Sequence, residues 1–373
     1  MRRHVWSAMA ASALLLAGCS DSGTTAEDTA DEVEPAVEEY LAAVDPEGQV
    51  RAVLVHRDGE PVVQRYTGTT AEEYWDTRSV TKSLMSTLVG IAIDEGHIAG
   101  VEASLGELLP SRRSEMSEAT AAVTLHQVLT HTAGFAPDTA GASVEYFAAE
   151  DWVGQILADH GESGPVDGSF VYSNAGAHLL SAILVEATGV PVLQYAREKL
   201  FEPLGISTEP AFEPAFDFSD EAAAAALYEE YWVAGFTWPV DPQGLHEGAC
   251  CAKLRPSDLA AMGQLYLDQG RWDGQQVVPE EWVEQATTAH VEVREAGVTG
   301  YGYMWWITDI AGQPGYMANG LGGQVIHVLP AENLVVAVAT EFDDRDPARM
   351  AKMFSGESAI SMVENAIVPH LPN

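Results

Sequence analysis

A serine and a lysine three residues apart, Ser79 and Lys82, stand near the start of the stretch "DTRSVTKSLMSTLVGIAIDEG", residues 76–96. Positions i and i+3 of an α-helix project from one face, so a helix here sets a hydroxyl beside an amine. A serine hydroxyl attacks a carbonyl poorly until a neighbouring base takes its proton. A lysine can be that base where burial and the positive end of the helix dipole disfavour an ammonium. From Leu84 to Ile93 the stretch is apolar almost all round, which marks a helix buried between layers, with Thr77 expected as its N-cap and Gly96 as its stop. The chain has four lysines, at 82, 199, 253 and 352, so the chance of one such serine–lysine pair is roughly one in four. The spacing alone does not decide the matter.

Two further stretches carry residues of the right types. In "VYSNAGAHLL", Tyr172-Ser173-Asn174 opens an amphipathic helix; a phenol there can relay a proton, and the asparagine amide can hold a substrate carbonyl and a lysine in place. A loop tyrosine followed by an asparagine N-cap is the plain alternative. In "YMANGLGGQVIHV" a glycine-rich turn leads into a β-run, and backbone N–H groups at such an edge can join the Ser79 N–H in holding an oxyanion. Asn319-Gly320 is also a type I′ hairpin signal.

In this order S-V-T-K, Y-S-N and a glycine-rich strand motif resemble the penicillin-recognising serine hydrolases, specifically the class C β-lactamase-like branch. That branch includes D-alanyl-D-alanine peptidases, esterases and nylon-oligomer (6-aminohexanoate) hydrolases. "TLHQVLTHTAGF", "YSNAGAHLLSAILVEATG", "LFEPLGI" and "LRPSDLAAMGQLYLDQGRWDG" are similar to its recurring segments, so the resemblance runs from about residue 50 to 345. It implies Ser79 as an acylated nucleophile, Lys82 as its base, Tyr172 as a second acid/base and Asn174 as the residue orienting lysine and substrate. The backbone N–H groups of Ser79 and Leu321 would form the oxyanion hole. Where the family has Lys-Thr-Gly or a His-x-Gly variant, this chain has Ala318-Asn319-Gly320, which leaves Asn319 and Gly320 as substrate-positioning candidates. The cation that meets a substrate carboxylate is missing from that motif, which favours an ester or amide without an obligatory carboxylate over a β-lactam.

The elements that must position these residues follow from periodicity. "EPAVEEYLAAV", from Glu34, has helical spacing, and "QVRAVLVHRDGEPVVQRYTG" gives two β-rich runs around an Asp58-Gly59 hairpin signal. Between about Ala99 and Gly270 helical patterns dominate, one of them opened by a capping box of Thr124 and Gln127. Past Trp282, "YGYMWWIT", "GGQVIHVLP" and "NLVVAVATE" read as strands, and "GESAISMVENAIV" closes the chain as a helix. The expected fold is α/β (α+β) and β-lactamase-like: an antiparallel sheet from both chain ends, flanked by helices (34–98 and 282–373), with an inserted mostly helical region (99–281). Tyr231, Trp232, Phe236 and Trp238 either line an acyl pocket or pack in the core. His131, in "LTHTAGF", is expected to be structural, since no G-x-S-x-G elbow exists in the chain.

The N-terminus reads separately. "MRRHVWSAMAASALLLAGCS" has a basic start and an apolar run too short to span a bilayer, which is a signal peptide, and Leu16-Ala17-Gly18-Cys19 resembles a bacterial lipobox with Cys19 as the lipidated residue. Residues 20–33 are small, polar and acidic, as in a flexible tether. The expectation is an extracytoplasmic protein that meets a bacterial membrane through its lipid anchor only. Beyond Cys19 there remain Cys250 and Cys251, expected as two packed free thiols rather than a vicinal disulfide. They make a poor metal site, and the proposed chemistry needs no metal or organic cofactor. A net charge of −38 excludes electrostatic binding of nucleic acid and leaves a small-molecule ester, amide or peptide as the partner. The rival functions are a true β-lactamase or D-alanyl-D-alanine carboxypeptidase and, in another class, a non-catalytic penicillin-binding or scaffold lipoprotein.

Overall fold

The computed structural model describes residues 26–137, 147, 149–160, 167–215, 221–341 and 350–371. The signal peptide and lipobox expected at 1–19 lie outside the described residues. Strands β1 (Val50–Arg57) and β2 (Glu60–Tyr66) meet at Asp58-Gly59, whose φ values of 53° and 79° are those a two-residue type I′ turn requires. Six further strands come from the C-terminal part: β3 (Val291–Glu295), β4 (Val298–Tyr301), β5 (Trp306–Ile310), β6 (Gln313–Gly320), β7 (Gln324–Leu329) and β8 (Leu334–Thr340). They form one antiparallel sheet in the order β2-β1-β8-β7-β6-β5-β4-β3. The two ends of the chain join at the β1–β8 seam, where Val50 stands opposite Thr340. This is the sheet from both termini that the sequence leads one to expect.

Alternation along β8 explains the layers. Leu334, Val336 and Val338 enter one core while Val335, Ala337 and Ala339 enter the other, so the strand is apolar throughout because both of its faces are covered. Helix α1 (Ala26–Val44) and the C-terminal helical segment that begins with α7 (Gly356–Met362) cover the first face. The second face carries α2 (Val80–Asp94) and α6 (Pro256–Leu267), with α4 (Asn174–Thr188) packed on α2. Helix α3 (Trp152–Ala158) leans on α4. Among the described residues no single helix is long and apolar enough to cross a membrane.

Three expectations need correction. Residues 26–33 are not tether but the first turns of α1, since Val33, Val37 and Leu41 recur at helical spacing and are buried, an apolar stripe that outweighs the acidic composition. Asn319-Gly320 is not a hairpin turn: both belong to β6, Gly320 pairs with Gln324, and the reversal falls on Leu321, Gly322 and Gly323, the two glycines at φ 87° and 80°. Cys250 and Cys251 are joined in a vicinal disulfide, the chain reversing at Cys251 (φ 77°) so that the two side chains face one another. The mostly helical central region includes two short ladders, Lys253–Leu254 paired with Trp75–Asp76 ahead of it and Arg271–Trp272 with Gln275–Gln276. It also holds a helix that the pattern did not announce, α5 (Glu221–Val233), whose alanine run has high intrinsic helix propensity. The capping box at Thr124 and Gln127 is present as expected.

Candidate active site

The turn into α2 is built by hydrogen bonds. Thr77 donates its N–H (3.1 Å) and its hydroxyl (2.8 Å) to the Ala252 carbonyl, so it does not cap the helix. Buried Asp76 accepts the Arg78 N–H at 2.8 Å and pairs with the Arg78 guanidinium at 3.1 Å. Between them these contacts hold Arg78 at φ 49°, a left-handed backbone that costs a non-glycine residue on the order of 1–3 kcal/mol. Ser79 follows as the N-cap residue, at the positive end of the helix.

Lys82 lies three residues on and is almost completely buried. Its Nζ is 3.1 Å from Ser79 Oγ, 2.6 Å from Asn174 Oδ1 and 2.8 Å from the Ala249 carbonyl. Two fixed acceptors therefore take two of its hydrogens, and its third direction points at the serine oxygen. Asn174 is free for this because Ser173, not Asn174, caps α4: its Oγ accepts the Gly176 N–H at 3.1 Å.

Tyr172 comes to the same place from the loop before α4. Its ring centroid is 4.7 Å from Lys82 Nζ and stacks on Trp306 at 5.7 Å, an interplanar angle of 19°. Among the described residues no hydrogen bond joins its hydroxyl to Ser79 or Lys82. Behind it stands His131, whose Nδ1 accepts the Ser173 N–H at 3.3 Å and whose ring lies 4.7 Å from that of Tyr172. Burial first, then the nearby Lys82 charge, pushes the His131 imidazolium pKa well below the usual range, so this ring is neutral and orients its neighbours.

The end of β6 closes the other side. A Cβ on Gly320 would stand 2.3 Å from the Thr77 carbonyl oxygen, so only glycine lets the strand approach the turn that carries Ser79. Leu321, half exposed, follows directly. Neither its N–H nor that of Ser79 has a backbone partner among the described residues. Strand alternation sends Asn319 the opposite way: its side chain lies against Gly356, at the start of α7 on the far face of the sheet, so it does not reach Ser79. Ala318 faces the α2 side and is fully buried.

Of the four aromatic candidates, Phe236 and Trp238 pack in the core around Phe201, and Tyr231 is buried with its hydroxyl on the Cys251 carbonyl at 3.2 Å. Trp232 stands near the residue before Ser79, with the Arg78 guanidinium 5.9 Å from its ring. The Ala249 carbonyl was beyond sequence reasoning, because a backbone atom leaves no side-chain signature.

A family model described as Beta-lactamase matches residues 38–356. The chain belongs to the beta-lactamase family. Membership brings the serine hydrolase fold. Among curated relatives, Penicillin-binding protein 4 of Amycolatopsis lactamdurans is 26% identical over 315 residues, 79% of this chain and 80% of that protein. Among solved structures, a Bacillus anthracis protein assigned as a 6-aminohexanoate-dimer hydrolase superposes with a TM-score of 0.66 at 17% identity, over 89% of this chain and 83% of the other. A class C beta lactamase from Rhodobacter sphaeroides gives 0.66 at 17% identity, over 90% and 99%. At such identities these two structures speak for the fold alone.

Proposed function

We propose that the protein is a serine hydrolase of the S-x-x-K type that cleaves an ester or amide through an acyl-enzyme on Ser79. The observation that carries this reading is Lys82 Nζ, held by Asn174 and Ala249 with its remaining direction on Ser79 Oγ. The lysine takes the hydroxyl proton as Oγ attacks the carbonyl carbon, and the oxyanion lies between the Ser79 and Leu321 N–H groups. The proton then passes by way of Tyr172 to the leaving oxygen or nitrogen, the hydroxyl closing on its partners once substrate is bound. Water releases the acid by the same steps in reverse.

The substrate class follows from the charges. Ala318 brings no cation to the edge of β6, the Lys82 hydrogens are committed, and Arg78 is paired with Asp76 and set over Trp232. An obligatory substrate carboxylate would find no dedicated partner in this set, which supports a neutral ester or amide. A panel of nitrocefin, D-alanyl-D-alanine peptides, short-chain p-nitrophenyl esters and aminohexanoate oligomers tests the assignment. Turnover of the esters or the oligomers is expected; rapid nitrocefin hydrolysis would overturn the preference in favour of a true β-lactamase.

We also propose that catalysis takes place outside the cytoplasmic membrane, on a protein held there by a lipid on Cys19. The motif Leu16-Ala17-Gly18-Cys19 supports this. Cys19→Ala is expected to move the protein from the membrane fraction to the soluble fraction, and an unchanged distribution would count against the anchor.

A further inference from the structure

Helix α4 carries His178 one turn beyond Asn174, on the same face. His178 is fully buried, with Nε2 3.3 Å from Asp241 Oδ2 and Nδ1 3.4 Å from Glu247 Oε1, and both carboxylates are buried with it. The same Glu247 Oε1 accepts the Ala249 N–H at 2.8 Å. The carbonyl of that one residue, Ala249, accepts Lys82 Nζ at 2.8 Å. A continuous path thus runs from His178 through Glu247 and Ala249 to the lysine.

We propose that His178 and Glu247 are a positioning pair, fixing the Ala249 carbonyl so that Lys82 keeps its third direction on Ser79. The inference rests on Lys82 being the base, as read above. Burying two carboxylates and an imidazole is a poor way to gain stability, since apolar side chains of like volume serve as well or better, whereas such a cluster does fix geometry. The two helical residues Asn174 and His178 then control both fixed acceptors of the lysine, one directly and one through the loop.

The charge state of His178 bears on this. Burial by itself would lower its pKa, but Glu247 and Asp241 together outweigh burial and raise it to about 9. Among the described residues these carboxylates are the charged groups that face it, and α3 contributes the neutral Trp152 ring at 5.3 Å. At neutral pH an imidazolium donates to both. As pH rises through about 9 the proton leaves, Glu247 loses its cation, and Nδ1 is free to take the Gly248 N–H, 3.4 Å away. A raised folded pKa stabilises the fold fully below the unfolded value near 6.5, and that contribution is lost through about 9.

The test measures the rate at which a fluorophosphonate labels Ser79, followed by intact-protein mass spectrometry across this pH range. It compares the wild-type chain with Glu247→Ala, Glu247→Gln and His178→Gln, each checked for a cooperative melt. Glu247→Ala is expected to label about 10²-fold more slowly, as a displaced catalytic group does. Glu247→Gln, whose amide oxygen still accepts the Ala249 N–H, recovers most of the rate. The wild-type rate falls as pH passes about 9, and His178→Gln lacks that fall. A folded Glu247→Ala protein labelling at the wild-type rate would sink the pair, as would superimposable pH profiles for wild type and His178→Gln; the profiles decide if Glu247→Ala does not fold. A wild-type chain that takes no adduct on Ser79 overturns the hydrolase reading itself, and this inference with it.

Discussion

Replacing Ser79 with alanine is expected to lower kcat on the best ester or amide substrate by about 10⁴–10⁶-fold while the thermal melt stays close to that of the parent chain. The loss is large because, among the described residues, Ser79 Oγ is the one hydroxyl hydrogen-bonded to Lys82 Nζ. The melt is spared because the side chain makes no capping hydrogen bond in its own helix, so its removal leaves the turn to Thr77, Asp76 and Ala252. Fluorophosphonate labelling gives the same answer without a substrate: a mass shift on the parent and none on Ser79→Ala. Persistence of the adduct in Ser79→Ala would place the nucleophile elsewhere and exclude the mechanism.

Lys82→Met tests the base with little change in volume. The thioether fills the buried slot but cannot take a proton, so turnover is expected to drop by about 10³–10⁴-fold, within the range general-base catalysis supplies together with its positioning. It also leaves the half-buried Asn174 Oδ1 and the buried Ala249 carbonyl without their donor, the latter at about 1–3 kcal/mol unless water enters. The signature is therefore a slow but detectable adduct on Ser79, because the hydroxyl remains. Labelling at the parent rate would mean that Lys82 is structural and that another group activates the serine.

Much of this site is visible in one dimension because the chemistry sits at element starts. Ser79 and Lys82 share the first turn of α2, Tyr172 and Asn174 bracket the N-cap Ser173 of α4, and each pair is local in sequence. Most of the sheet was legible too, since hairpin turns and two-sided apolar strands such as Leu334–Thr340 leave strong patterns, whereas the charges of Val291–Glu295 and the proline and glycines of Gln313–Gly320 hid those two strands. Side-chain direction at a strand end was harder. The reversal falls on Leu321–Gly323 instead of Asn319-Gly320, so both residues stay in β6, where alternation points Asn319 away from Ser79 and Gly320 toward it. Contacts between distant loops were out of reach: His178 with Asp241 and Glu247 depends on tertiary packing that no local period encodes. Thr29 and Val33, read as part of an acidic tether, are buried because the apolar stripe of α1 finds a partner face on the sheet.

The seam between β1 and β8 has a consequence in time. A polymer that pairs Val50 with Thr340 must wait for its late segments before its early ones can settle, and such long-range pairing is slow. At about 5–20 residues per second, tens of seconds separate the emergence of Ser79 from that of Gly320 and Leu321. During that interval the serine exists without the strand edge that would hold an oxyanion beside it. The order of synthesis thus puts the Ser79 turn in place well before the strand edge that completes its surroundings.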